Sequence, residues 1–141
     1  MKKLDSESLF NIFSQGDEAV YQEHGVSQIL DNSFVLFGMV VKGVENYYII
    51  DQLYQVKYKE QYDSVRESIK LKYFLGLIGY LERIDQLRLD TLSIIEDEFG
   101  LQAINYALDE MITFFEHIEY YEQCCILKKY FDVFFAKKLL S

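Results

Sequence analysis

The stretch Glu116–Lys129 reads EHIEYYEQCCILKK, and its reading decides the fold class. Upstream of it, Leu101, Ile104, Leu108, Met111, Phe115 and Ile118 step by three and four residues, the spacing of one apolar helix face. Downstream, Tyr120, Cys124, Leu127, Phe131 and Phe134 do the same as far as Leu140. Two helices joined by so few residues fold back on each other as an antiparallel hairpin, with the turn near Glu116–Glu119. Cys124 and Cys125 then fall where the arms meet. A free Cys packs as a small hydrophobe, so the pair lets an opposing backbone come close. Phe114, Phe115, Tyr120 and Tyr121 flank that contact. On this reading the thiols are spacers, not reagents.

Working outward, Gly100 marks a break, and a short helix is expected over Thr91–Phe99 with Asp90 as its N-cap. Before it, Tyr54, Tyr58, Tyr62, Val65, Ile69, Tyr73, Leu77, Tyr80 and Ile84 predict one long helix from about Asn46 or Gln52 to Gln86. Gly76 and Gly79 lie inside it. Two helical glycines cost about 2 kcal/mol relative to Ala, so close approach of another helix is the expected compensation. The absence of Pro fits uninterrupted helices. Residues 46–141 thus read as a helical core. Residues 1–45 are less regular, with short helices at Ser6–Phe13 and Ala19–Leu30. Ser33–Val41, SFVLFGMVV, suits a buried strand or a buried helix. The expectation is an all-α helical bundle forming one domain over 1–141. The alternative is α+β, with an N-terminal β-hairpin at about 33–56.

Composition narrows the function classes. The chain has 141 residues, half of them apolar, with 12 Tyr and 11 Phe but no Trp, enough for a core of its own. This bias also matches an AT-rich genome. The net charge of −9 disfavours nucleic acid and anionic membranes as partners. Adjacent cysteines do not make a disulfide framework, and MKKLDSESLF turns polar before any apolar leader segment develops. The expected setting is the cytoplasm, or a particle assembled there. Charge is segregated: Asp90–Glu122 carries nine acids and no Lys or Arg, whereas Lys57–Arg88 carries seven bases against five acids. Such faces complement one another within a bundle, or the acidic one docks a basic partner.

No constellation in the sequence is marked out for chemistry by its surroundings, though 23 acids leave carboxylate pairs open. Zinc asks for about four converging ligands, and the chain offers His24, His117 and a vicinal Cys pair whose side chains diverge. Phe114 and Tyr21 stand three residues before the two histidines, so the Glu-x-x-His pair of di-iron bundles is missing. The acids around Cys124 and Cys125 oppose thiolate formation. Phosphate-binding and nucleophile-elbow glycine motifs are missing too. Lys59, Arg66 and Lys70 near Tyr62 and Tyr73 suit single-stranded nucleic acid, but Asp63 and Glu67 lie among them and favour a solvated face. The expectation is no enzyme, no cofactor and no metal.

The ten residues Glu119–Lys128, EYYEQCCILK, resemble the UVR motif, the helical hairpin of bacterial excision-repair proteins and of some protease regulators. In that family two small residues sit at the closest approach of the arms, and the hairpins associate with one another or with partner proteins. The chain departs from the pattern at Lys129, where the family often has an acid. The resemblance implies hairpin geometry and docking, and carries over no repair activity. The functional expectation is a non-enzymatic helical interaction or assembly protein, with a phage particle as one setting. Its partner is a protein, a second copy included. The alternative is a small regulator that binds a host or repair protein through its acidic 90–122 segment. Asp109, Glu110, Glu116, Glu119, Tyr120 and Tyr121 are the candidate interaction residues. Gly76, Gly79, Cys124 and Cys125 are the candidate close-packing residues.

Overall fold

The computed structural model describes residues 33–84 and 87–139. They form six helices: α1 (Ser33–Tyr58), α2 (Glu60–Asp63), α3 (Arg66–Glu82), α4 (Leu89–Phe99), α5 (Leu101–His117) and α6 (Tyr121–Leu139). No strand occurs among the described residues, so the fold is all-α and the β-hairpin at 33–56 is set aside. The helices expected at Ser6–Phe13 and Ala19–Leu30 lie outside the described residues.

Helix α1 is the axis of the bundle, with α2, α3, α4 and α5 all packed on it. Its first half explains why SFVLFGMVV lacks alternation. Leu36 to Val41 are buried without interruption, because neighbouring helices surround this segment. Phe37 meets Phe134 of α6 at 5.0 Å between ring centroids, and Phe34 stacks on Phe99 at the end of α4. By length and composition, α1 is the one described helix apolar enough to cross a bilayer. In the bundle, much of that apolar surface lies against the other helices.

The single long helix expected up to Gln86 is broken. Lys59 turns the chain with φ 49°, α2 adds one turn, and Ser64–Val65 lead into α3. Neither Gly nor Pro marks this break. The three-and-four spacing of Tyr58, Tyr62, Val65 and Ile69 runs straight across it, because one intervening turn preserves the period. The result is that α3 folds back along α1. The glycine that permits this is Gly43: a Cβ there would lie 2.8 Å from Leu77 Cδ2. Tyr73 donates its hydroxyl hydrogen to the Gly43 carbonyl at 3.0 Å across the same seam.

Gly76 and Gly79 do not make the contact expected of them, for a Cβ at either would meet nothing within 4 Å. Close approach belongs instead to α1, at Gly43 and at Gly38, where Phe99 fills the space. Helix α4 begins two residues earlier than expected, and Arg88 rather than Asp90 occupies its N-cap position. Asp90 sits in the first turn and accepts the Thr91 N–H at 2.9 Å. Gly100, with φ 80°, ends α4 and starts α5, as its position in the sequence suggests.

The α5–α6 hairpin forms as read. Ile104, Leu108, Met111 and Phe115 of α5 are buried, as are Cys124, Leu127 and Phe134 of α6. The turn is a Schellman closure: Tyr120 N–H bonds the Phe115 carbonyl at 2.8 Å and Glu119 N–H bonds Glu116 at 3.1 Å. Glu119 occupies the left-handed position, φ 64°, that such closures usually give to Gly. Tyr130 of α6 donates to the Leu81 carbonyl at 2.8 Å, tying the hairpin to the end of α3.

Candidate interaction surfaces

The structure divides the hairpin residues singled out by sequence. Tyr121 is exposed, and Tyr120 is half-exposed with its ring stacked on Phe115. Asp109 and Glu119 face solvent. Glu116, also on the surface, pairs with Lys128 of α6 at 3.3 Å. Glu110 points the other way: it accepts the Tyr48 hydroxyl hydrogen at 2.7 Å and so bonds α5 to α1. Asp109, Glu116 and Glu119 are therefore exposed carboxylates, and Glu110 is not one of them. Among the described residues, no cation reaches ion-pair distance of Glu96, Asp97 or Glu98.

The cysteines separate as well. Cys124 is buried, with its sulfur 3.8 Å from the Ile112 carbonyl, whereas Cys125 is exposed. Adjacent residues on a helix diverge by about 100°, so only one of the pair can face α5. Burial pushes the Cys124 thiol above its ordinary pKa, and Glu116 adds to the shift. The spacer role thus belongs to Cys124 alone.

A polar cluster that sequence did not foresee lies where α3 folds onto α1. Asp51, only 2 % exposed, accepts hydrogen bonds from Tyr62 (2.6 Å), from Arg66 Nε (2.9 Å) and from Arg66 Nη2 (2.7 Å). The fork of Arg66 meets both carboxylate oxygens, which is the strong geometry for such a pair. One turn on, Lys70 lies 4.9–5.9 Å from the centroids of Tyr47, Tyr48, Phe74 and Phe114. Burial lowers the Lys70 pKa, while Glu110 and Asp51 oppose that shift. Burial raises the hydroxyl pKa of Tyr47 and of Tyr62, with Asp51 adding to both. Lys59 is exposed, as a solvated face requires, whereas Arg66, its side chain still 44 % exposed, and half-buried Lys70 also hold this seam. Beside them opens a cleft of about 360 Å³, which His117 and Glu67 also line. Asp51 is committed to Arg66 and Tyr62, and no group of three or more metal-ligating side chains converges among the described residues.

The second feature missed is on the outer face of α1. Ile49, Leu53 and Val56 are 59 %, 61 % and 77 % exposed. At 100° per residue they share an arc of roughly 60°. Asn46, Gln52 and Lys57 flank them and are exposed too. A signal existed: this four-and-three series is out of phase with the buried series Val40, Val44, Tyr47 and Asp51 on the same helix. Two apolar stripes on one helix mean two faces with something to cover. The solvent side of α3, by contrast, carries Glu67, Ser68 and Lys72.

No family model, no curated protein and no solved structure matches this chain. Its function has to be argued from its own surfaces.

Proposed function

We propose that this chain is a non-enzymatic interaction or assembly protein that receives a protein partner on the outer face of α1, in the cytoplasm or in a particle assembled there. The observation that carries the reading is the Ile49–Leu53–Val56 stripe. It leaves on the order of 300 Å² of aliphatic surface in water, a size at which exposed patches often serve a partner. A photo-crosslinking amino acid at position 53, in the cells that make the protein, should give an adduct of one defined mass. The same group on the polar surface, at Asp97, should give none. Position 53 without an adduct would remove the reading.

A regulatory role through the acidic 90–122 segment has support from Asp109, Glu116 and Glu119, which present carboxylates outward. Reversing these three to Lys should abolish capture of a basic partner while the fold persists. Unchanged capture by the reversed protein would eliminate that role. The hairpin's likeness to the UVR motif fits either reading, since those hairpins dock on partners.

A further inference from the structure

We infer that the cleft between α1, α3 and α5 binds a small zwitterion, an α-amino acid with a large apolar side chain. The site lies apart from the Ile49–Leu53–Val56 stripe and stands whether or not that stripe receives a protein.

Charge in the cleft selects such a ligand. The lining holds the cations Arg66 and Lys70, the acids Asp51, Asp63 and Glu67, and His117. Arg66 and Asp51 satisfy each other through two hydrogen bonds. That leaves the Lys70 ammonium with two carboxylates, Asp63 and Glu67. Lys70 is half-buried, whereas Asp63, Glu67 and His117 are exposed, so the cation sits deeper and the acids form the rim. Among the described residues, no carboxylate reaches ion-pair distance of Lys70, and Glu110, Asp51 and Glu67 act on it only from further off. Its Nζ lies against the rings of Tyr47, Tyr48, Phe74 and Phe114 instead. A partly desolvated ammonium gains most from an anion that hydrogen-bonds it.

A simple anion meets Lys70 but also faces Asp63 and Glu67. A simple cation suits the rim but is repelled by Lys70 and Arg66. A ligand with both signs side by side uses every one of these groups. Its carboxylate accepts from Lys70 and from the outer edge of the Arg66 guanidinium, whose side chain is 44 % exposed. Its ammonium donates to Glu67 or Asp63. Glu67 and Lys70 stand three residues apart on α3, about 5–6 Å between Cβ atoms, a gap that an adjacent ammonium and carboxylate can bridge. Tyr48 and Phe114 offer ring surface to an apolar side chain. The volume of about 360 Å³ is near the small end of ligand pockets, roughly 300–1,000 Å³, and suits one amino acid.

Titrating the full chain with L-phenylalanine at neutral pH, followed by amide-resolved NMR, tests this. Phenylacetate and phenethylamine are the companion probes, each keeping one of the two charges. Saturable shifts at Tyr48, Glu67 and Lys70 are expected, with a Kd on the order of 0.1–1 mM for a ligand of this size. Each single-charge probe should bind at least about 10-fold more weakly, the loss of one charge-assisted hydrogen bond. Lys70→Gln should weaken phenylalanine by a similar factor while keeping an apolar stem over the rings. If Lys70→Gln does not fold, Glu67→Gln, at an exposed position, takes its place. It should weaken phenylalanine about 5-fold and leave phenylacetate no weaker. Phenylacetate binding as tightly as phenylalanine would mark a plain anion site and overturn the inference. So would phenethylamine binding as tightly, shifts that both variants leave unchanged, or no saturation up to about 10 mM, well above such a constant.

Discussion

The two seams of this bundle close by opposite means. Between α5 and α6 the contact is dry: aromatic and aliphatic side chains meet over the small Cys124, and a backbone closure at Glu119 sets the turn. Between α1 and α3 the contact is glycine-spaced at Gly43 and then charged, with Asp51 buried beneath Arg66 and Tyr62. Dry packing gains from apolar area and asks little of geometry. A buried ion pair gains little net energy, but it makes any alternative that separates its members costly. The difference teaches that the hairpin is held by its local sequence, whereas the fold-back of α3 adds to its apolar contacts a polar lock of three residues.

The largest break in that comparison should come from Arg66→Ala. It strands the Asp51 carboxylate with one hydroxyl donor, and denaturant unfolding should show a loss of about 3–5 kcal/mol. Replacing both Asp51 and Arg66 with Leu should cost less than the single change. Equal costs would mean that the pair adds nothing beyond packing.

Alkaline pH should strain the same seam, with buried Cys124 and half-buried Tyr130 adding to the effect from the hairpin. Tyr47 and Tyr62 are buried and keep their protons in the fold above the ordinary value near 10. Unfolded chains release those protons from about pH 10 upward, so the unfolded state binds fewer and stability falls with pH. Two such groups give a slope of about 2.7 kcal/mol per pH unit. Lys70 acts in reverse. Its lowered pKa means that the fold gives up that proton first, so stability rises slightly up to about pH 10.4 and the loss beyond is delayed. Denaturant midpoints measured from pH 8 to 11.5 check this, and a flat profile above about pH 10 would contradict the burial of the two tyrosines.

Within the hairpin, Cys124→Leu should overpack the contact and cost about 1–3 kcal/mol, whereas Cys125→Leu should change stability by less than about 0.5 kcal/mol. A thiol reagent should correspondingly label one cysteine in the folded chain and both in denaturant. Equal costs would return the spacer role to the pair.

The smallest effect has the opposite sign. Gly76→Ala and Gly79→Ala should each stabilise the chain by up to about 1 kcal/mol, because helix propensity improves and nothing is displaced. Gly43→Ala should destabilise it, because the added Cβ meets the buried Leu77.

The hairpin was legible because its determinants are local. Period, turn and small residue all fall between Leu101 and Phe134. The α1–α3 seam was not, because its determinants are relational. Asp51 looks like any helix-surface acid until Tyr62 and Arg66 are brought over it, and Lys59 breaks the helix without the residues that usually do so. Gly76 and Gly79 misled for the same reason: a glycine has propensity in the sequence but neighbours only in the fold. Of the candidate surfaces, the outward acids Asp109, Glu116 and Glu119 were readable from charge alone. The Ile49–Leu53–Val56 stripe was hidden because the same helix has a stronger apolar series facing inward.

The position of α1 at the centre of the bundle also fixes an order of events during synthesis. The most apolar helix leaves the ribosome before any of the helices that cover it, and α5 is complete only at His117. At ordinary elongation rates the nascent chain carries a bare, membrane-like segment for several seconds. Chaperone engagement or mistargeting should therefore act on this protein as it is made, and slowing translation between Tyr58 and Leu101 should lower its yield without altering the finished fold.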